Sequence, residues 1–375
     1  MIPFNKPYIS GEELNYVKDS ILRGKISGNG YYTKECHHFF KDYFPGSKCL
    51  LTTSCTDALE MAAILANIQT NDEVIVPSFT FCSTANAFAL RGAKLVFCDS
   101  LAVHPNIDPE DIRHKITSKT KAIVVVHYAG MTCQMDEIME IVNDHQLILI
   151  EDAAQAIESF YKGKRLGTFG HLAAFSFHET KNIQCGEGGM LVVNDPNLFE
   201  RSEIIWEKGT NRAAFSRGEV SKYNWVDIGS SFLLSDLNAA YLKAQLDNLG
   251  LIQSKRISLW KNYEAELTEL QETGDLQFIK QFSFGTNNAH LFGILCIDEV
   301  TRNALIDHLS KHGILAVFHY LPLHKSPYYL SQHAEEHLKN ADRFSQTIVR
   351  LPLYPGLSGK EQQLVIEVIK MFYLG

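Results

Sequence analysis

Four short tracts hold residue types that could do chemistry. In the first, Ser176-Phe177-His178-Glu179-Thr180-Lys181-Asn182, a lysine follows a strand-like run and precedes the glycine-dense Gly186-Glu187-Gly188-Gly189. A partly desolvated lysine there can act as a nucleophilic amine on an aldehyde, and glycines let the backbone turn sharply against a ligand. The second, Ile150-Glu151-Asp152-Ala153-Ala154-Gln155, sets an aspartate just past an apolar run. At the carboxyl edge of a parallel sheet, where open α/β folds bind ligands, such a carboxylate can pair with a cationic ring nitrogen. The third, Thr52-Thr53-Ser54-Cys55-Thr56-Asp57-Ala58-Leu59, is a hydroxyl-rich passage from strand to helix. Its free backbone N–H groups and the helix dipole suit a phosphate. The fourth, Pro77-Ser78-Phe79-Thr80-Phe81, offers an aromatic side chain that can stack on a flat ring.

Taken singly, each tract has a plainer reading. Asp152 is also a good helix N-cap. Lys181 is also a surface lysine before a tight hairpin, the hydroxyl-rich segment an ordinary capped helix start, and Phe81 a core ring. Taken together, they follow one another as phosphate cradle, ring stacker, acid and lysine, all at one predicted sheet edge. Aldehyde, ring nitrogen, phosphate and planar ring are the features of pyridoxal 5′-phosphate (PLP), whose chemistry needs a lysine and an acidic partner from the protein.

The elements that must position these residues are legible over 49–193. Apolar runs at Glu73–Val76, Lys94–Phe97, Ala122–Val126 and Leu147–Ile150 alternate with helical stretches at 55–66, 83–90, 108–116 and 134–145. Such alternation predicts crossover units and a mostly parallel sheet with both faces covered. Further strands are expected at Ala173–Phe177 and Met190–Val193. Helices are expected at 196–207, 234–247 and 253–273. A smaller mixed region follows, with strands near 291–297 and 314–318 and helices near 300–311, 335–347 and 358–373. Ser10-Gly11-Glu12-Glu13 and Ser358-Gly359-Lys360-Glu361 have the spacing of reciprocal capping boxes. The glycine-rich, basic segment 208–222 reads as an exposed excursion.

Composition narrows the class. The chain has 375 residues, 45% of them hydrophobic and 21% charged. That suggests two domains and a core that needs no staple. A net charge of −8 argues against a general nucleic-acid surface. No apolar run approaches the roughly 18 residues of a membrane helix, and no leader pattern opens the sequence. The eight cysteines form no C-x-x-C pair and read as scattered reduced thiols, so a cytoplasmic protein is expected. No His/Cys/Asp spacing suits a metal. A nicotinamide-dependent oxidoreductase would need a G-x-G-x-x-G turn after the first strand, and none is present.

These tracts, with His319-Tyr320-Leu321-Pro322-Leu323-His324, resemble the DegT/StrS-type sugar-nucleotide aminotransferases, a family of fold-type I PLP enzymes. The resemblance runs over essentially the whole chain. It implies a large PLP-binding domain, 1–248, whose mostly parallel seven-stranded sheet is flanked by helices, and a small C-terminal α/β domain, 249–375. It also implies roles for the residues. Lys181 bonds the PLP aldehyde, Asp152 pairs with the ring nitrogen, Gln155 hydrogen-bonds the ring hydroxyl and Phe81 stacks on the ring. Thr56 and Asp57 (through backbone N–H) and Ser176 hold the phosphate. Many members place an asparagine where it reaches the partner subunit's PLP phosphate. Here Ser231 stands at that position, and Asn224 is a substitute. The expected assembly is therefore a homodimer with shared sites, cycling between PLP and pyridoxamine phosphate (PMP).

The partners expected are L-glutamate and a nucleotide-linked keto sugar. Lys208, Arg212 and Lys222 are candidates for the diphosphate, and His178, His319 and Tyr320 for the sugar. Phe175–Asn182, Lys208–Arg212 and Asp227–Ser231 are most like members that aminate C4 of dTDP-4-keto-6-deoxy-D-glucose in surface-polysaccharide synthesis. Amination at C3, or at C4 with gluco stereochemistry, stays open. An intact Lys181 argues against the members that lack this lysine and dehydrate their sugar. With Asp152 and Gln155, it also argues against a non-catalytic relative.

Overall fold

Apolar runs covered on both faces become the central strands of a layered α/β molecule. The computed structural model describes residues 1–375. Its strands are β1 (Lys48–Thr52), β2 (Glu73–Pro77), β3 (Lys94–Cys98), β4 (Thr120–Val126), β5 (Ile148–Asp152), β6 (Phe160–Tyr161), β7 (Lys164–Arg165), β8 (Leu172–Ser176), β9 (Gly189–Val193), β10 (Leu276–Phe278), β11 (Phe292–Cys296) and β12 (Ile348–Leu351). The main sheet has seven strands in the order β1-β9-β8-β5-β4-β2-β3. β9 alone runs against its neighbours, β1 and β8, and the remaining pairs are parallel. This is the fold-type I architecture.

Period-two alternation splits each strand between two cores. Ile123, Val125 and Leu149 join one core with the helices Tyr31–Tyr43, Met135–His145 and Asp236–Asp247. Ala122, Val124 and Ile150 join the other, with the helices Cys55–Leu65 and Cys82–Ala89. A third core lies between the antiparallel sheet β10-β11-β12 and the helices Glu299–Lys311 and Gly359–Leu374. The long helix Leu249–Glu272 belongs to two cores. Leu249 and Ile252 pack in the first, and Tyr263, Leu267 and Leu270 in the third. The expected boundary after 248 falls where this helix begins. No helix is long and apolar enough to cross a membrane.

Four local expectations need correction. Residues 314–318 are not a strand: Ile314 and Val317 make only single bridges, to Ile2 and Arg350. The helix expected from 335 starts at Lys339 and runs straight into β12, so the strand carries no signal of its own. The segment 208–222 holds a short helix, Arg212–Ser216. Ser358 and Glu361 do form a reciprocal capping box. Ser10 does not, because Glu13 Oε1 takes its N–H and O–H at 2.8 and 2.7 Å while the helix begins beyond it at Glu13.

Candidate active site

The carboxyl ends of β4, β5 and β8, the segment that follows β2 and the starts of two helices surround a cleft of about 500 Å³. Asp152 closes β5 and is only 6% exposed. Its Oδ2 accepts from Thr84 Oγ1 at 2.7 Å and its Oδ1 from the Ala154 N–H at 3.1 Å. Burial pushes its carboxyl above the usual range, although the Thr84 and Ala154 hydrogen bonds and the Lys181 charge oppose this. Lys181 lines the same cleft, and its amine has no hydrogen-bond or ion-pair partner. Burial lowers its pKa, while Cys55 and Asp152 pull it back up. Burial thus shifts both groups of the cleft toward their neutral forms.

Gln155 lines the same cleft and is fixed by two hydrogen bonds. Its Oε1 accepts from the Ala129 N–H at 2.7 Å, and its Nε2 donates to the Tyr320 hydroxyl at 3.2 Å. Tyr320 stacks on His319 with ring centroids 5.5 Å apart, and burial raises its pKa. Phe81, at the N-cap of the helix Cys82–Ala89, is 55% exposed, with its ring 6.0 Å from that of Tyr320. It is therefore not a core residue.

Across the cleft lies the start of the helix Cys55–Leu65. Ser54 caps it, and the Ser54 Oγ takes the Asp57 N–H at 3.1 Å. That N–H, expected to face a phosphate, is already used, and the Asp57 carboxylate turns back to the hydroxyls of Thr53 and Ser54. The open donors at this corner are the N–H groups of Cys55 and Thr56. With them are the hydroxyls of Thr56 and Ser83, paired at 2.8 Å, and of Ser176, which lines the same cleft. Gly189 permits this corner, because a Cβ there would collide with the backbone of Ser54 and Cys55.

His178 lines the cleft mouth, with its Nδ1 2.9 Å from Thr180 Oγ1. Lys208, Arg212, Lys222, Asn224 and Ser231 do not line the cleft; all five are exposed on the segment 208–231.

Two cleft residues carry no local sequence signal. Arg350, on β12, is 6% exposed; its Nη1 lies 3.2 Å from His319 Nδ1, its Nε has no partner, and no carboxylate pairs with it. Burial and this guanidinium lower the pKa of His319. His290, just before β11, is held through its Nδ1 by Asn182, the residue after Lys181. Only pairing across the small sheet and the docking of 288–290 on 182 bring these two to the site.

A buried carboxylate, a desolvated amine, open N–H and hydroxyl donors at a helix start and an exposed ring suit PLP in charge, shape and chemistry.

Comparison with known proteins agrees. The profile of the DegT/DnrJ/EryC1/StrS aminotransferase family matches residues 7–370. GDP-perosamine synthase of Escherichia coli O157:H7 is 31% identical over 373 residues, covering 99% of this chain and 98% of its own. The aminotransferase TlmJ from Streptoalloteichus hindustanus superposes with a TM-score of 0.91 at 27% identity, over 100% of this chain and 99% of its own. Spr1654 from Streptococcus pneumoniae superposes in its PMP-form at 0.92 and in its PLP-form at 0.91. Both are 25% identical, and they cover 99% of this chain and 99% and 98% of their own. The chain belongs to the DegT/DnrJ/EryC1/StrS family and is a PLP-dependent sugar aminotransferase, with PMP as the intermediate form of its cofactor.

Proposed function

We propose that this enzyme is a dTDP-4-amino-4,6-dideoxygalactose transaminase. It moves an amino group from L-glutamate to C4 of dTDP-4-keto-6-deoxy-D-glucose. The observation that carries amino transfer is the meeting of Lys181 and Asp152 in one buried cleft. The choice of sugar rests on the likeness of Phe175–Asn182, Lys208–Arg212 and Asp227–Ser231 to members acting at C4. The name GDP-perosamine synthase supports a nucleotide-linked sugar.

When bound, PLP supplies a ring that takes up the electron pair left as the donor's Cα–H bond breaks. The chain's residues do the rest. Asp152 keeps a proton on the ring nitrogen, and that positive charge offsets part of what burial costs the carboxylate. Lys181 is the amine that anchors the aldehyde and then carries the donor's α-proton, which its lowered pKa favours. Gln155 holds the ring hydroxyl and Phe81 covers the ring. Thr56, Ser83 and Ser176 hold the phosphate, with Asp57 confined to shaping the turn.

Arg350, a buried cation without an anion, takes the donor's carboxylate. His178, His319 and Tyr320 face the sugar. Ser231 or Asn224 reaches the site of a second subunit, and Lys208, Arg212 and Lys222 meet the diphosphate. Exposed Trp225, Val226 and Ile228 on the same segment support a homodimer. We take the chain as cytoplasmic, with domains 1–248 and 249–375.

Purified enzyme, L-glutamate and separate 3-keto and 4-keto dTDP-sugars test the reading. Product NMR should show the 4-keto sugar aminated with galacto configuration. Turnover of the 3-keto sugar alone, or a gluco product, overturns it.

A further inference from the structure

We propose that His290 is a further ligand-contacting residue of this cleft, an imidazole that carries its proton on Nδ1 and whose bare Nε2 accepts a hydrogen bond from an N–H or O–H group of a substrate. The inference rests on reading the cleft as the amino-transfer site. It starts from a tautomer fixed by backbone carbonyls. The Asn288 carbonyl can only accept. It takes Asn182 Nδ2 at 2.9 Å and Gln253 Nε2 at 2.6 Å, so both amides are oriented without ambiguity. Gln253 Oε1 then takes the same Asn182 Nδ2 at 3.1 Å. The Asn182 Oδ1 left over is an acceptor, and it lies 2.9 Å from His290 Nδ1. His290 Nδ1 must therefore carry the proton. In a neutral ring, Nε2 then holds a free lone pair.

The surroundings disfavour a charged ring. It is 5% exposed, and the charged groups that act on it, Lys181, Arg256 and Arg350, are all cations. Burial and these three charges hold its pKa well below the usual 6.5. It is also immobile. Its N–H donates to Asn288 Oδ1 at 3.0 Å, and its carbonyl accepts from Arg256 Nη2 at 2.6 Å. Every polar atom of His290 is committed within the protein except Nε2, and the residue lines the cleft beside Lys181 and Arg350. Beside the Arg350 guanidinium, a fixed acceptor selects a proton-bearing ligand group. The amine of the amino donor and a hydroxyl of the sugar both have that chemistry.

Two measurements test this on the holoenzyme. In side-chain ¹⁵N NMR of histidine-labelled protein, the resonances absent from His290→Gln belong to His290. They should show the Nδ1–H neutral tautomer with no titration through about pH 6.5. The Nε2 signal should shift on adding L-glutamate or the sugar nucleotide. A ring that titrates normally, carries its proton on Nε2, or responds to neither ligand overturns the proposal.

The half-reactions are then followed separately by the absorbance of PLP and PMP forms. His290→Leu should weaken the apparent binding of one substrate about tenfold, the size of one lost hydrogen bond. His290→Gln, whose amide oxygen can take the place of Nε2, should restore most of it at equal thermal stability. An effect on the glutamate half-reaction assigns the contact to the donor amine, and one on the sugar half-reaction assigns it to the hydroxyl. Equal behaviour of the Leu and Gln variants overturns the proposal. If the wild type performs neither half-reaction, the reading of the cleft fails instead.

Discussion

Two carboxylates stand side by side at the end of β5, and the sheet sends them to opposite faces. Glu151 is fully buried and takes four N–H donors: His127 Nε2 at 2.9 Å, Gly167 at 2.8 Å, and Phe169 and Gly170 at 2.7 Å each. Burial alone would raise its pKa, but His127 and the glycine N–H groups outweigh it and hold the carboxyl below its usual value. Asp152 receives one hydroxyl and one N–H, and burial wins. The same strand thus carries a carboxylate that fastens the loop 167–170 and another left undersatisfied toward a cleft. A buried acid whose partners are complete is structural. One whose partners fall short is waiting for a ligand.

Changes that exchange these two conditions test the contrast. Lys181→Ala, which removes the amine facing Asp152, should cut turnover by roughly 10⁴-fold or more. Full multiple-turnover activity in that variant would end the assignment. Asp152→Asn should lower kcat by about 10²–10³-fold. Because the carboxylate is held at a cost, apo-protein with this change should resist urea at least as well as the wild type. Glu151→Gln should do the opposite. It should lose about 2–3 kcal/mol in urea unfolding, because hydrogen bonds to a buried charge are broken. Near-wild-type activity per folded molecule is expected, and equal activity losses in both variants would erase the distinction.

The smallest effect lies in the acid limb of stability. Glu151 has a lowered folded pKa, so its contribution is present above the usual 4.5 and is lost as pH falls. Asp152 has a raised folded pKa, so the folded state takes up its proton first and gains stability as pH falls. Urea titrations below about pH 5 should show a shallower acid limb for Glu151→Gln and a steeper one for Asp152→Asn.

The contrast also marks what the sequence makes legible. Lys181, Asp152, Gln155, Ser176, Thr56 and Phe81 sit in tracts where a strand ends and a turn or helix begins, and all six line one cleft. Glu151 precedes Asp152 directly, yet nothing local says that one is structural and the other not. That difference is made by Gly167–Gly170 and Thr84, which are remote in sequence. Asp57 was expected to offer its N–H, and Ser54 takes it, an outcome set by cap geometry. Arg350 and His290 were missed because they arrive from the small sheet by long-range pairing. β12 was missed because four residues directly after a helix have no period to read. The segment 208–222 reads as an exposed excursion, and Lys208, Arg212 and Lys222 on it are exposed and outside the cleft.

One arrangement at the cleft wall bears on how the enzyme is made. Phe4 and Arg350 meet there, the guanidinium 5.0 Å from the ring. The two sides of that wall thus come from segments far apart in the chain, one before the seven-stranded sheet and one in the small sheet. A product that stops before β12 therefore lacks the guanidinium proposed to take the donor's carboxylate, and is expected to be inert even if its seven-stranded sheet forms.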